Sequence, residues 1–115
     1  MSRPKRDPPE ERRADLRHQC HRHCLVSFDR RYLDGQPGSV SAEGYVSDLS
    51  ASGVGLLLRR EIPMGATLAI TPFESAPAPL PPAQVVRSVQ VGGRWRLGCR
   101  LEQRLSEQEL RAWLQ

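Results

Sequence analysis

Apolar and polar residues alternate with a period of two through much of this 115-residue chain, the pattern of strands with one buried face. Residues 25–32 form a first candidate strand, with Val26 and Phe28 alternating against polar neighbours. In residues 43–49, Tyr45, Ser47 and Leu49 share one face and Val46 and Asp48 the other. Residues 54–59 bring Val54, Leu56 and Leu58 to one side, and residues 67–71 make a short fourth strand. Residues 83–91 and 94–101 flank Gly92-Gly93, a two-residue hairpin signal. The last strand alternates cleanly, with Trp95, Leu97, Cys99 and Leu101 inward and Arg94, Arg96, Gly98 and Arg100 outward.

Between these runs the chain is punctuated by turn residues. Asp34-Gly35 and Pro37-Gly38 mark a loop, residues 50–53 a turn, and Pro63-Met64-Gly65 a break. Residues 72–82 hold five prolines, which lack the N–H that a central strand needs. The chain ends differently. Ser106 and Glu109 form a capping box, and Leu110, Trp113 and Leu114 follow at helical spacing. Six short strands and one helix predict a mainly β protein, a small antiparallel barrel or curled sheet with a C-terminal helix. The length allows one domain, residues 12–115, after a flexible lead-in at 1–11 that carries Pro4, Pro8 and Pro9.

Composition narrows the class. A hydrophobic fraction of 38% with 5% aromatics implies a small aliphatic core, and 26% charged residues fit a soluble globular protein. The longest apolar run, residues 54–58, is far short of a membrane span, so no membrane insertion is expected. The basic N-terminus has no apolar stretch behind it and is not a secretory signal. Three cysteines argue against a disulfide framework, and a reducing cytoplasm is the expected location. The net charge of +4 is unevenly placed: residues 1–31 hold nine Lys/Arg against five acids, and the other 84 residues hold eight of each. A concentrated basic segment suits a phosphate-bearing ligand, a polyanion or a membrane surface, although a solvated basic arm has the same signature.

Enzymatic signatures are missing: there is no HExxH, no Walker-type loop, no GxGxxG and no nucleophile elbow. Neither catalytic residues nor a cofactor are expected. His18, Cys20, His21, His23 and Cys24 make a dense cluster of metal-preferring side chains. Their spacing matches no standard structural zinc site, and in a strand Cys20 and Cys24 would face away from His21 and His23. Two further motifs stand about thirty residues apart with a strand between them. Arg13 and Arg17 have an RxxxR spacing, and Asp48-Leu-Ser50-Ala-Ser-Gly53 reads DxSxxG. An arginine fork meets guanine O6 and N7, or two phosphate oxygens, with parallel hydrogen bonds. A carboxylate accepts from the N1–H and N2–H on the other edge. Asp48 and Ser50, two apart, would point the same way along an extended chain.

In this order the two motifs resemble the PilZ domain, a receptor family for the bacterial second messenger cyclic di-GMP. The resemblance continues through Glu11-Arg12-Arg13, Gly44-Tyr-Val46, Gly53-Val-Gly55-Leu56, Pro63-Met-Gly65, Ala83-Gln-Val85-Val86-Arg87 and Arg96-Leu97-Gly98, and so spans residues 11–115. It implies a six-stranded antiparallel barrel with a C-terminal helix. It also implies cyclic di-GMP as ligand, bound by Arg13 and Arg17 with Arg12 as helper and by Asp48, Ser50 and Gly53. Gly53 would supply a positive φ or a close backbone approach. An arginine segment that folds over its ligand would reorient what is attached to it, and with only 11 residues before the motif the expected output is a separate protein partner or the surface itself. Leu16 stands where family members often have proline, and the His/Cys cluster is unusual. A PilZ-fold module that contacts proteins without nucleotide is one alternative. A small barrel that binds nucleic acid through its basic arm is another, and the lack of a run of exposed aromatics on the strand faces argues against it.

Overall fold

The computed structural model describes residues 15–115. Six strands, β1 (His18–Asp29), β2 (Ser39–Leu49), β3 (Gly53–Leu58), β4 (Thr67–Pro72), β5 (Ala83–Val91) and β6 (Arg94–Leu101), close into a barrel in the order β1-β2-β3-β6-β5-β4. Every neighbouring pair is antiparallel. Closure removes the open edges that would otherwise invite pairing with another chain. A single turn of helix, α1 (Arg31–Asp34), and a terminal helix, α2 (Glu107–Leu114), complete the elements. The mainly β barrel with a C-terminal helix agrees with the sequence-based expectation.

The differences lie at boundaries and have local causes. β1 begins at His18 rather than Leu25, because pairing with β2 runs as far as His18 opposite Leu49. Polar residues there are tolerated because the other side of this stretch has no strand: β4 pairs with β1 only from Cys24 onward. β1 also stops at Asp29, short of the expected residue 32: Arg31 and Tyr32 belong to α1, which Gly35 closes at φ 74°, a left-handed conformation that favours glycine. In β2 the strict alternation fails. A bulge between Val46 and Asp48 shifts the phase, so Val46 and Leu49 are both buried instead of facing opposite ways.

Inward residues from all six strands fill the barrel, among them Val26, Val46, Leu56, Ile70, Val85 and Leu97. Helix α2 packs on the core through Leu110 and Trp113. Its start is fixed by the capping box: Ser106 Oγ accepts from the Glu109 amide at 3.0 Å, and the Ser106 amide donates to Glu109 Oε1 at 2.8 Å. Its far end is held from β1, where Arg22 Nε donates to the Trp113 carbonyl at 3.0 Å with the guanidinium 5.7 Å from the Trp113 ring. The indole N–H donates to the Ala78 carbonyl at 3.0 Å, which ties the proline-rich segment to the helix. Among the described residues no helix is long and apolar enough to cross a membrane.

Candidate functional site

The two motifs meet at the mouth of the barrel where β2 turns into β3. Arg17 immediately precedes β1, and Asp48 projects from the outer face of β2 beside the bulge. Arg17 Nη1 donates to Asp48 Oδ1 in an ion pair that links residues 31 positions apart. The Asp48 side chain is 29% exposed and that of Arg17 54%, so both remain open to a ligand. Asp15 fastens the chain just before Arg17. Its carboxylate accepts from Ser52 Oγ at 3.2 Å and pairs with Arg104 at 3.0 Å. Arg12 and Arg13, the other two arginines read from the sequence, lie outside the described residues.

Ser50 and Gly53 occupy the turn in different ways from Asp48. Ser50 is buried at 3% exposure. Its Oγ accepts from the Gly53 amide at 3.0 Å and from the Ser52 amide at 3.3 Å, an arrangement that builds the turn from within. Strand β2 has ended at Leu49, so the extended geometry that would align Ser50 with Asp48 no longer applies. Gly53 does not have a positive φ; what it admits is close approach. A Cβ there would lie 3.2 Å from a guanidinium nitrogen of Arg17 and 3.2 Å from the Cys99 carbonyl.

Further residues join this surface. Asp48 pairs with Gly55 on β3, Gly55 with Gly98 on β6, and Gly98 with Arg87 on β5. The two glycines leave the outer face flat between a carboxylate and a guanidinium. A Cβ on Gly55 would stand 2.8 Å from Asp48 Cγ, and one on Gly98 would stand 3.5 Å from Arg87 Cβ. The signal was present as Gly53-Val54-Gly55, two glycines at strand spacing, but recognising Gly98 and Arg87 as their neighbours needs the strand order.

The His/Cys cluster divides as strand geometry requires. Cys24 is buried and Cys20 packs against the core, while His21 and His23 face outward. Burial pushes the Cys24 and Cys99 thiols up to about 12 and raises that of Cys20, whose Sγ donates to the Val46 carbonyl at 3.3 Å. The histidines do not converge on a common point. Tyr45 of β2 stacks on His21 with centroids 4.3 Å apart and on His23 at 5.1 Å, and His23 stacks on Phe73 at 4.1 Å. Among the described residues no group of three or more His, Cys, Asp or Glu is placed to hold a metal ion. The stack joins one strand tyrosine, Tyr45, and Phe73 just beyond β4 with two histidines. Its members come from three parts of the chain, so no linear pattern reveals them.

No curated protein gives a significant match to this chain. The sequence profile of the PilZ domain, a binding-domain family, matches residues 11–115. With motifs, barrel and terminal helix in that same order, the chain belongs to the PilZ domain family.

Proposed function

We propose that this protein is a cyclic di-GMP receptor, with the arginine segment 12–17 and the turn 48–53 as two halves of one ligand site. The observation that carries the proposal is the Arg17–Asp48 pair, which sets a fork donor beside a carboxylate acceptor on a glycine-lined face. Asp48 accepts from guanine N1–H and N2–H, and Arg17 donates to O6 and N7 or to a phosphate. Arg12 and Arg13 add phosphate or base contacts, as the family resemblance implies. Ser50 and Gly53 serve by shaping the turn and leaving room for Arg17. No protein cofactor is required, and no step of chemistry is performed on the ligand.

Binding replaces the Arg17–Asp48 contact with contacts to the ligand and reorders the segment ahead of β1. That change is the signal, read by a partner protein. Isothermal titration with cyclic di-GMP tests the first step. The wild-type chain is expected to bind, and Arg17→Ala and Asp48→Ala are each expected to weaken binding roughly 5- to 150-fold, from about 1–3 kcal/mol per guanine contact. A wild-type chain that is folded yet gives no heat at high ligand concentration refutes the proposal and leaves a nucleotide-independent interaction module.

A further inference from the structure

A cavity opens on the same outer face, toward the opposite end of β2 from Asp48. It has a volume of about 270 Å³ and is walled by His23 and Tyr45, floored at Gly44 and Leu58, and rimmed by Glu43, Arg59 and Arg94. Its β2 residues lie three to five positions from Asp48, roughly 10–15 Å at strand rise, and none of its residues belongs to the cyclic di-GMP site proposed above.

Three features give it a chemical character. First, Arg59 and Arg94 have no ion-pair partner among the described residues. Both are exposed, and they approach from different strand ends, Arg59 just after β3 and Arg94 at the start of β6. Two unpaired guanidiniums across one cavity suit a phosphate, which each can grip with two hydrogen bonds. Second, Glu43 brings one acceptor to the same cavity, with Oε2 3.6 Å from His23 Nε2. A lone carboxylate opposes a purely anionic ligand but accepts from ring N–H or amino groups, so the ligand has donors at one end and negative charge at the other. Third, the wall is rigid before anything binds. Tyr45 is stacked with both His21 and His23, and His23 in turn with Phe73, so little side-chain freedom remains to be lost on binding. The floor is equally fixed: a Cβ on Gly44 would lie 2.7 Å from the Leu57 carbonyl and would collide with Leu58.

We infer that this cavity is a nucleotide site. It takes a planar base edge-on against the rim of the Tyr45–His23 stack, whose ring faces are already covered, holds the base donors on Glu43, and places the phosphate between Arg59 and Arg94. The volume is just under the usual 300–1,000 Å³ of small-molecule pockets and so fits a single nucleotide. That nucleotide is either free or one unit of a single strand. The inference is independent of cyclic di-GMP recognition at Arg17 and Asp48.

The experiment is an NMR titration of the Arg17→Ala protein, which removes the first site from the readout, with GMP, AMP and a ten-residue oligothymidylate as probes. Saturable shifts are expected at Gly44, Tyr45 and His23, with little change at Ser50 or Gly53. Tighter binding of the oligonucleotide with a steep salt dependence assigns the site to single strands; equal or weaker binding assigns it to free nucleotides. The Arg59→Ala/Arg94→Ala protein is expected to bind about tenfold more weakly or worse, and because both side chains are exposed it is expected to melt as the parent does. Glu43→Gln is expected to alter the ranking of GMP against AMP. Absence of shifts with all three probes at millimolar concentration, or shifts that persist unchanged without Arg59 and Arg94, overturns the inference. Neither result bears on cyclic di-GMP binding by the wild-type chain.

Discussion

Replacing Gly55 by alanine separates ligand recognition from folding. Gly55 lies in extended backbone on β3, where alanine is acceptable and even reduces the entropy lost on folding, by roughly 0.5–1 kcal/mol. The obstacle is Asp48: the new Cβ would stand 2.8 Å from its Cγ and 2.9 Å from Oδ1, well inside van der Waals contact. The carboxylate is the end of a side chain on an open face, so it swings away without moving the barrel. That movement breaks the pair with Arg17, an exposed contact worth at most about 1 kcal/mol. The two effects nearly cancel, and the melting temperature of Gly55→Ala is expected to stay close to the parent value. Recognition is expected to lose the guanine contact of Asp48, about 1–3 kcal/mol, or roughly 5- to 150-fold in Kd. Calorimetric titration with cyclic di-GMP beside a thermal melt gives both quantities from one preparation. A Gly55→Ala protein that binds as tightly as the parent refutes the placement of Asp48 in the site. One that melts far below the parent refutes the claim that the clash is absorbed by a side chain.

The opposite outcome is expected for Gly44→Ala, where the added atom meets the Leu57 carbonyl at 2.7 Å and the Leu58 side chain; backbone must move, and urea denaturation is expected to show a loss of about 1–3 kcal/mol. Ser106→Ala removes the acceptor for the Glu109 amide and is expected to lower stability by about 1 kcal/mol by the same measurement, with the barrel intact. Alkaline pH supplies another test. Unfolded thiols lose their protons near 9.0, whereas burial holds Cys24 and Cys99 protonated to about 12. Between those values the unfolded chain binds fewer protons than the native one, so stability is expected to be undiminished below pH 9 and to fall as pH rises toward 12. Cys24→Ala/Cys99→Ala, less stable at neutral pH, is expected to show a shallower decline; an equally steep one refutes the thiol origin.

Much of the barrel was legible because a half-buried strand has a period that a sequence displays. β6 (Arg94–Leu101) was readable to the residue, since Trp95, Leu97, Cys99 and Leu101 alternate without interruption and a glycine pair sets the turn before it. β1 starts earlier than its sequence pattern suggests because its first residues are polar: register with β2 continues where no second neighbour demands apolar side chains. It also ends earlier, at Asp29, because the chain turns into α1. The bulge at Val46–Asp48 was invisible, because a one-residue shift in pairing leaves no mark on composition. In the candidate site, Arg17 and Asp48 were found by motif order, and the structure joins them. The inward role of Ser50 was not legible, because it depends on where β2 stops. Gly98, Arg87 and the ring stack of His21, Tyr45, His23 and Phe73 were out of reach for a different reason: each is a neighbour created by sheet closure, not by sequence distance.

The unequal pairing of β1 has a kinetic meaning. From Cys24 to Phe28 the strand is bonded to β2 on one side and β4 on the other, and those amides are released only when the whole barrel opens. From His18 to Arg22 the ladder has one side, interrupted by the irregularity between Gln19 and Arg22, so this stretch can separate as its own sub-global unit at a lower free energy. Arg17 stands at the head of that unit and Arg22, which holds the end of α2, at its foot. Hydrogen exchange along β1 is expected to divide into two tiers, with the boundary at Cys24 where pairing with β4 begins.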